Sequence, residues 1–174
     1  STRGLGRAIA ETLAAEGADI IVNGRWNKTV GNVACEIEHK FDHNIHAYQF
    51  TCDATSSNNI KKFFQEKMPQ IGRLDILVNN VGNIEKFGSF EDLAEEDWQR
   101  SFDLTFMSAV RFTNAALPYL KMSDQARIIN ISSLPAHQPG YFNPHYSAAK
   151  AALLNLTKHL ANYLARDQIL VNAI

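Results

Sequence analysis

Apolar residues recur along this chain in two alternating rhythms. Over residues 4–16, Leu5, Ile9 and Leu13 come every four residues among alanines and Gly17 follows as a stop, so the spacing predicts an amphipathic helix. Residues 18–23 form a short apolar run suited to a buried strand. The same alternation continues with a helix over about 28–40, a strand over 45–50, and a helix over 56–68 that Pro69 closes. A strongly apolar strand over 74–79 leads through a loop into a long helical stretch reaching Lys121. The acidic cluster Glu91, Asp92, Glu95, Glu96 and Asp97 at its start reads as a solvated helix end that suits the dipole. A strand over 127–132, a loop over 134–144 with three prolines, a helix over 144–166 and a strand over 169–174 complete the pattern.

Strands that alternate with helices, and are continuously apolar, predict an α/β fold whose parallel sheet is covered on both faces. No repeat or low-complexity linker interrupts residues 1–174, which read as one domain. The chain starts in a Gly-rich turn and ends in a strand, so the expectation is a domain truncated at both ends, with a strand before Ser1.

Composition narrows the function. With 45% hydrophobic and 20% charged residues the chain has material for a core, and a formal charge of -1 without basic blocks argues against nucleic-acid or acidic-membrane partners. No apolar run is long enough to span a bilayer and no secretory signal is visible, so a cytoplasmic location is the default expectation. Cys35 and Cys52 lack ligand spacing and read as reduced and structural.

In such a sheet, ligands gather at the carboxyl ends of the strands. In the opening Ser1-Thr2-Arg3-Gly4-Leu5-Gly6, the glycines let backbone approach a pyrophosphate at a helix N-terminus, although a plain tight turn explains them equally well. Gly24 and Arg25 follow the next strand. Arg there accommodates a ribose 2′-phosphate, where a carboxylate would bind ribose hydroxyls, so Arg25 with Arg3 favours NADP over NAD. Asp53, after the strand over 45–50, is able to accept from an adenine amino group or simply to make a turn.

Tyr146 and Lys150 stand four apart on one predicted helix and point to one side. A neighbouring ammonium favours the phenolate, which suits Tyr146 to proton transfer. The order of Gly-rich turn, Asp53, Asn79-Asn80-Val81-Gly82, Ser132-Ser133 and Tyr146-x-x-x-Lys150 resembles the short-chain dehydrogenase/reductase family, near its 3-oxoacyl-carrier-protein-reductase-like branch, over the whole chain.

That resemblance implies a Rossmann-type doubly wound sheet lacking its first strand and C-terminal part. It implies Ser133, thirteen residues before Tyr146, as the group holding the substrate oxygen, Tyr146 as acid/base, and Lys150 as its partner and a ligand of the nicotinamide ribose. The cofactor-binding set it implies is Thr2, Arg3, Gly4, Leu5, Gly6, Arg25, Asp53, Asn80, Gly82, Tyr146 and Lys150. The substrate would be a small carbonyl compound or secondary alcohol, and the assembly a homodimer or homotetramer built on the two long helices. Ser132 should face the other way and be structural.

One position departs from the family. Counting seven on from Trp98, or thirteen back from Pro118, reaches Thr105, where the family carries an Asn that holds a water in a proton relay. Thr lacks the amide's donor and acceptor pair, which motivates a rival reading as a dinucleotide-binding sensor or scaffold. His39, His43 and His46 straddle a helix end and a strand without a carboxylate motif, so no metal is expected. His137 and His145 read as loop histidines near the site, and Phe102, Phe106 and Met107 as core or subunit contact.

Overall fold

The computed structural model describes residues 1–41 and 44–174, which form two compact units, Ser1–Asn59 and Ile60–Ile174. The first contains α1 (Gly4–Ala15), β1 (Ile20–Gly24), α2 (Asn27–Lys40) and β2 (Ala47–Thr51). The strands pair in parallel, Ile20 opposite Ala47 and Gly24 opposite Thr51. Ala10 and Ala14 keep one face of α1 small, and that face joins Ile20, Val22, Val30, Val33, Ala34, Ile37, Ile45 and Ala47 in one buried cluster.

Gly17 ends α1 for a steric reason. At φ +86° it lies in the left-handed region, and the N–H groups of Gly17 and Ala18 donate to Ala14 and Leu13 at 3.0 and 3.1 Å, satisfying the last turn. Glu11 then accepts from Arg7 at 2.7 Å and from Lys40 at 2.5 Å, tying α1 to the end of α2.

The chain continues through α3 (Ser57–Glu66), α4 (Met68–Ile71), β3 (Ile76–Asn79), α5 (Glu95–Phe102), α6 (Ser108–Leu120), β4 (Arg127–Asn130), α7 (Pro144–Leu164) and β5 (Leu170–Ala173). In the second unit β3, β4 and β5 are parallel, with Asn79 opposite Asn130 and Asn130 opposite Ala173. Helix α6 packs on β3 and β4, and α7 on β4 and β5.

The parallel α/β architecture agrees with the hydrophobic pattern, with three local differences. The predicted sheet is found as two hydrogen-bonded groups, β1-β2 and β3-β4-β5, because no described strand pairs β1 with β3. Pro69 opens α4 instead of stopping the helix before it; a first-turn residue needs no N–H donor.

The long helix is the third. Between α5 and α6 it widens into a π-helical turn, Asp103–Met107. The Ser108 hydroxyl donates to the Leu104 carbonyl at 2.6 Å, while the Ser108 N–H reaches Asp103. Arg111 also bonds Asp103, at both its carbonyl and its carboxylate. Side chains thus occupy carbonyls that a regular α-turn would share out differently. Among the described residues no helix is long and apolar enough to cross a membrane.

Candidate active site

The ends of β3 and β4 carry a buried polar ladder. Asn79 Nδ2 donates to Asn130 Oδ1 at 2.8 Å and to Thr113 Oγ1 at 3.2 Å, and Asn130 Nδ2 donates to Thr157 Oγ1 at 2.8 Å. Thr157 closes it by donating to the Leu153 carbonyl at 2.7 Å. The ladder ties two strand ends to α6 and α7, and so fixes the frame that carries the residues beyond it. Asn79 is visible in the sequence as part of Asn-Asn-x-Gly. Asn130, Thr113 and Thr157 carry only one signal, polar residues within apolar elements.

Lys150 is the most unusual side chain in this frame. It is 2% exposed, yet ionisable. Its Nζ donates to the Ile131 carbonyl just past β4 at 2.5 Å and lies 5.7 Å from the centroid of the Tyr146 ring, one turn earlier on α7. Burial pushes its ammonium down to about 8, since leaving water disfavours the charged form.

Gly82, in the loop after β3, is part of the same cluster. A Cβ built on it would stand 3.1 Å from Lys150 Nζ, 3.4 Å from Lys150 Cε and 3.6 Å from Thr105 Cγ2. The structure therefore brings Gly82, Thr105 and the Tyr146–Lys150 pair of α7 together from three separate stretches of chain. Asn80 precedes them at the end of β3, half-buried.

Ser133 is half-buried, with extended backbone (φ -166°, ψ 152°) that leads into a short 3-10 turn, Leu134–Ala136. That turn is fastened to α7 by Ser147 Oγ, which donates to the Pro135 carbonyl at 2.6 Å. The Ser132 hydroxyl is buried without a protein partner, and its N–H donates to Ile174 O at 2.6 Å.

Thr105 lies in the π-helical turn, fully buried, and its hydroxyl has no partner among the described protein groups. His145 lies in the first turn of α7, within the predicted helix over 144–166, and differs from the sequence reading in being only 2% exposed; Asn143 just before the helix is left-handed at φ 59°. Its ring meets Trp98 edge to face at 6.1 Å. Desolvation lowers its basicity, opposed by the nearby Asp97 carboxylate and a bond to the Lys86 backbone. Asn143 also grips Gly88: their N–H and carbonyl groups meet at 2.7 Å, and the Gly88 N–H donates to Asn143 Oδ1 at 3.2 Å. His137 is exposed.

In the first unit, Thr2 and Gly24 are pressed together; a Cβ on Gly24 would come 2.8 Å from Thr2 Cγ2 and 2.9 Å from Val30 Cγ2. The Gly-rich turn is thereby held at the end of β1, beside Arg25. Helix α1 begins at Gly4, φ +54°, with no side chain capping it and no acidic residue in its first turn, and Arg3, Gly4, Leu5 and Arg25 are exposed while Gly6 is buried. This end of α1 has the positive dipole and unshielded N–H groups that suit a phosphate. Asp53 is exposed after β2, and its Oδ1 accepts from the Thr55 N–H and hydroxyl at 2.9 and 2.8 Å, a local turn.

Cys35 and Cys52 are both free, and burial followed by the neighbouring Asp53 pushes the Cys52 thiol up to about 11. Among the described residues no three His, Cys, Asp or Glu side chains gather closely enough to hold a metal; His43 lies outside the described residues.

The chain is similar to known proteins over its whole length. The short chain dehydrogenase family model matches residues 1–174. The chain is 34% identical over its full length to a 3-oxoacyl-[acyl-carrier-protein] reductase of Aquifex aeolicus (strain VF5), covering 69% of that protein. It is also 34% identical to an uncharacterized oxidoreductase of Bacillus subtilis (strain 168), covering 64% of it. Among solved structures, L-sorbose reductase from Gluconobacter frateurii, complexed with NADPH and L-sorbose, superimposes with a TM-score of 0.92 at 31% identity, over 99% of this chain and 65% of that one. The chain thus spans about two thirds of the length of these relatives. On the strength of the family match over its whole length, and of these relatives, the chain belongs to the short-chain dehydrogenase family.

Proposed function

We propose that the protein is an NADP(H)-dependent oxidoreductase that transfers hydride between the nicotinamide and a small carbonyl compound or secondary alcohol, with Tyr146 as its acid/base. The observation that carries this reading is the buried Lys150 ammonium set 5.7 Å from the Tyr146 ring centroid and against Gly82. A buried cation is expensive unless it serves something, and a positive charge beside a phenol stabilises the phenolate that proton transfer creates.

The dinucleotide, when bound, supplies or accepts the hydride. The chain's residues fit such a group: the uncapped glycine-bearing start of α1 suits a pyrophosphate and Arg25 with Arg3 a ribose 2′-phosphate. Asp53 is assigned to the adenine side, Asn80 and Gly82 to the nicotinamide side, and Lys150 to the nicotinamide ribose. Gly82 keeps the approach to Lys150 Nζ open, because any Cβ there would press on it.

In reduction, Ser133 holds the carbonyl oxygen by donating its hydroxyl, and Tyr146 delivers a proton to that oxygen as negative charge develops. Lys150 holds the resulting phenolate electrostatically. Oxidation runs through the same groups in reverse.

The test uses the full-length protein with NADPH, NADH and a panel containing a cyclic ketone, a β-keto thioester and a ketose, followed by cofactor absorbance. Tyr146→Phe should abolish turnover, a loss of at least about a hundredfold, while NADPH still binds. Retained turnover in that variant overturns the role of Tyr146, and a tenfold preference for NADH overturns the assignment of Arg25.

A further inference from the structure

Two loops of the second unit flank the reacting groups. One runs from Gly82 to α5 and the other from Ser133 to α7. Each places aromatic rings in solvent: Phe87 is 69% exposed on the first loop, and Tyr141 and Phe142 are 81% and 51% exposed on the second. Single exposed rings are ordinary, but these three touch one another. The Phe87 and Phe142 rings lie 5.2 Å apart with their planes tilted by 30°, and Tyr141 meets Phe142 edge to face at 5.2 Å. Two loops thus share one aromatic surface, most of which stays open to water.

The backbone beneath the rings is fixed. The Asn143 N–H donates to the Gly88 carbonyl at 2.7 Å and the Gly88 N–H to Asn143 Oδ1 at 3.2 Å, which ties the neighbours of Phe142 and Phe87 to each other. Beyond Gly88, the Ser89 N–H and hydroxyl both donate to Asp92 Oδ2, at 2.8 and 2.6 Å. At the far end of the second loop, Ser147 holds the turn 134–136 against α7. Phenyl rings have few rotors, and rings mounted on a fixed backbone lose little freedom when a ligand stacks on them.

Charge narrows what that ligand is. Residues 134–146 contain no Asp, Glu, Lys or Arg. Between Gly82 and Phe87 stand two charges, and both are paired: Glu85 with Arg100, and Lys86 with Asp97 at 2.7 Å. Glu91 and Asp92, which follow, are negative. A phosphate or carboxylate on the ligand would meet no uncommitted cation on either loop, whereas a neutral planar ring meets three aromatic side chains. The rings also stand close to the reacting groups along the chain. Phe87 is five residues after Gly82, Phe142 is four residues before Tyr146, and the exposed Leu134 directly follows Ser133.

We propose that Phe87, Tyr141 and Phe142 form a stacking platform for the substrate, and that the substrate is a neutral ketone or secondary alcohol bearing a planar apolar ring beside its reacting carbon. The proposal rests on the reading of Ser133 and Tyr146 as the groups that receive the substrate oxygen. The ring takes no part in bond making; it orients the carbon that exchanges hydride.

The test compares tetralone, its ring-carboxylated analogue and cyclohexanone as substrates of the full-length protein with NADPH. Tetralone should show a kcat/KM roughly tenfold above either of the others. A carboxylated analogue used as well as tetralone overturns the assignment to neutral substrates, and cyclohexanone used as well overturns the platform. Phe142→Ser should lower the ratio of the tetralone to the cyclohexanone kcat/KM about fivefold, through KM, and Phe142→Tyr, which keeps the ring, should hold it. A ratio unmoved by both Phe142→Ser and Phe87→Ser overturns the proposal; a change in melting temperature or oligomeric state in its place would show the rings packed against another segment or a second copy. Saturation-transfer NMR on tetralone with the Tyr146→Phe protein needs no turnover, and the signal on the aromatic protons should fall when Phe142→Ser is added. Should no ketone be reduced, or should Tyr146→Phe retain turnover, the hydride-transfer or acid reading fails, and the platform is then decided by that NMR signal, which overturns it if Phe142→Ser leaves it unaltered.

Discussion

Lys150 and Ile131 are joined by a 2.5 Å hydrogen bond from the ammonium to a backbone carbonyl just past the end of β4, and no carboxylate pairs with that ammonium among the described residues. A single carbonyl compensates the lost hydration only in part, and this explains why burial lowers Lys150 to about 8.

The consequence for stability has a definite sign. Between about 8 in the fold and the ordinary 10.5, the unfolded chain binds more protons than the folded one, so stability rises with pH across that window. Below it the buried charge opposes folding by up to ~3 kcal/mol. Lys150→Met should therefore melt higher than wild type at pH 7 and lose that advantage near pH 10, while turnover is absent throughout. Melting curves at the two pH values check this.

His145 is lowered by the same cause, and the consequence has the same sign at a lower pH. Its folded value lies below the ordinary 6.5, so the unfolded chain takes up its proton first and stability falls as pH drops through 6.5 toward the folded value. His145→Gln, which cannot titrate, should show a shallower loss of melting temperature between neutral and mildly acid pH. An equally steep loss would show that His145 does not set this limb.

Asn130 should be far more sensitive than its size suggests. Asn130→Ala removes a donor and an acceptor at once, leaving Asn79 Nδ2 with Thr113 alone and Thr157 without its donor. A loss of about 2–3 kcal/mol is expected from denaturant unfolding. Asn130→Asp should not rescue it, because a carboxylate has no hydrogen to give Thr157.

Two glycines separate stability from function. Gly24→Ala pushes a methyl group to 2.8 Å from Thr2 and 2.9 Å from Val30, and should destabilise the first unit by about 1–3 kcal/mol. Gly82→Ala meets the flexible tip of Lys150 at 3.1 Å instead. Thermal melting should change little there, whereas turnover should fall by roughly tenfold as the ammonium is displaced. Melting and steady-state rates on the same two variants distinguish the effects.

The order of helices and strands was legible in the sequence because the periods differ: Leu5, Ile9 and Leu13 recur by helical turns, whereas 18–23 and 74–79 are continuous apolar runs. The π-helical turn at Asp103–Met107 was not, since its apolar residues keep a helical rhythm and the disturbance comes from Ser108 and Arg111 competing for carbonyls. The predicted helix over 144–166 contained His145, but its burial was not legible. That burial depends on distant residues such as Trp98, forty-seven positions earlier, supplying a face to pack against.

The sequence by itself determined the alternating α/β order, the strand-end positions of Gly82 and Ser133, and the Tyr146 and Lys150 spacing, because these depend on local periodicity and on residues near one another in the chain. Only the tertiary structure decided that Lys150 is buried, that Gly82 and Thr105 close around it, and that Ser101, Thr105 and His145 each leave a buried polar atom without a partner among the described residues. Burial and hydrogen-bond satisfaction are properties of surfaces brought together from distant segments. A side chain's desolvation is set by those neighbours, and spacing along the chain does not contain them.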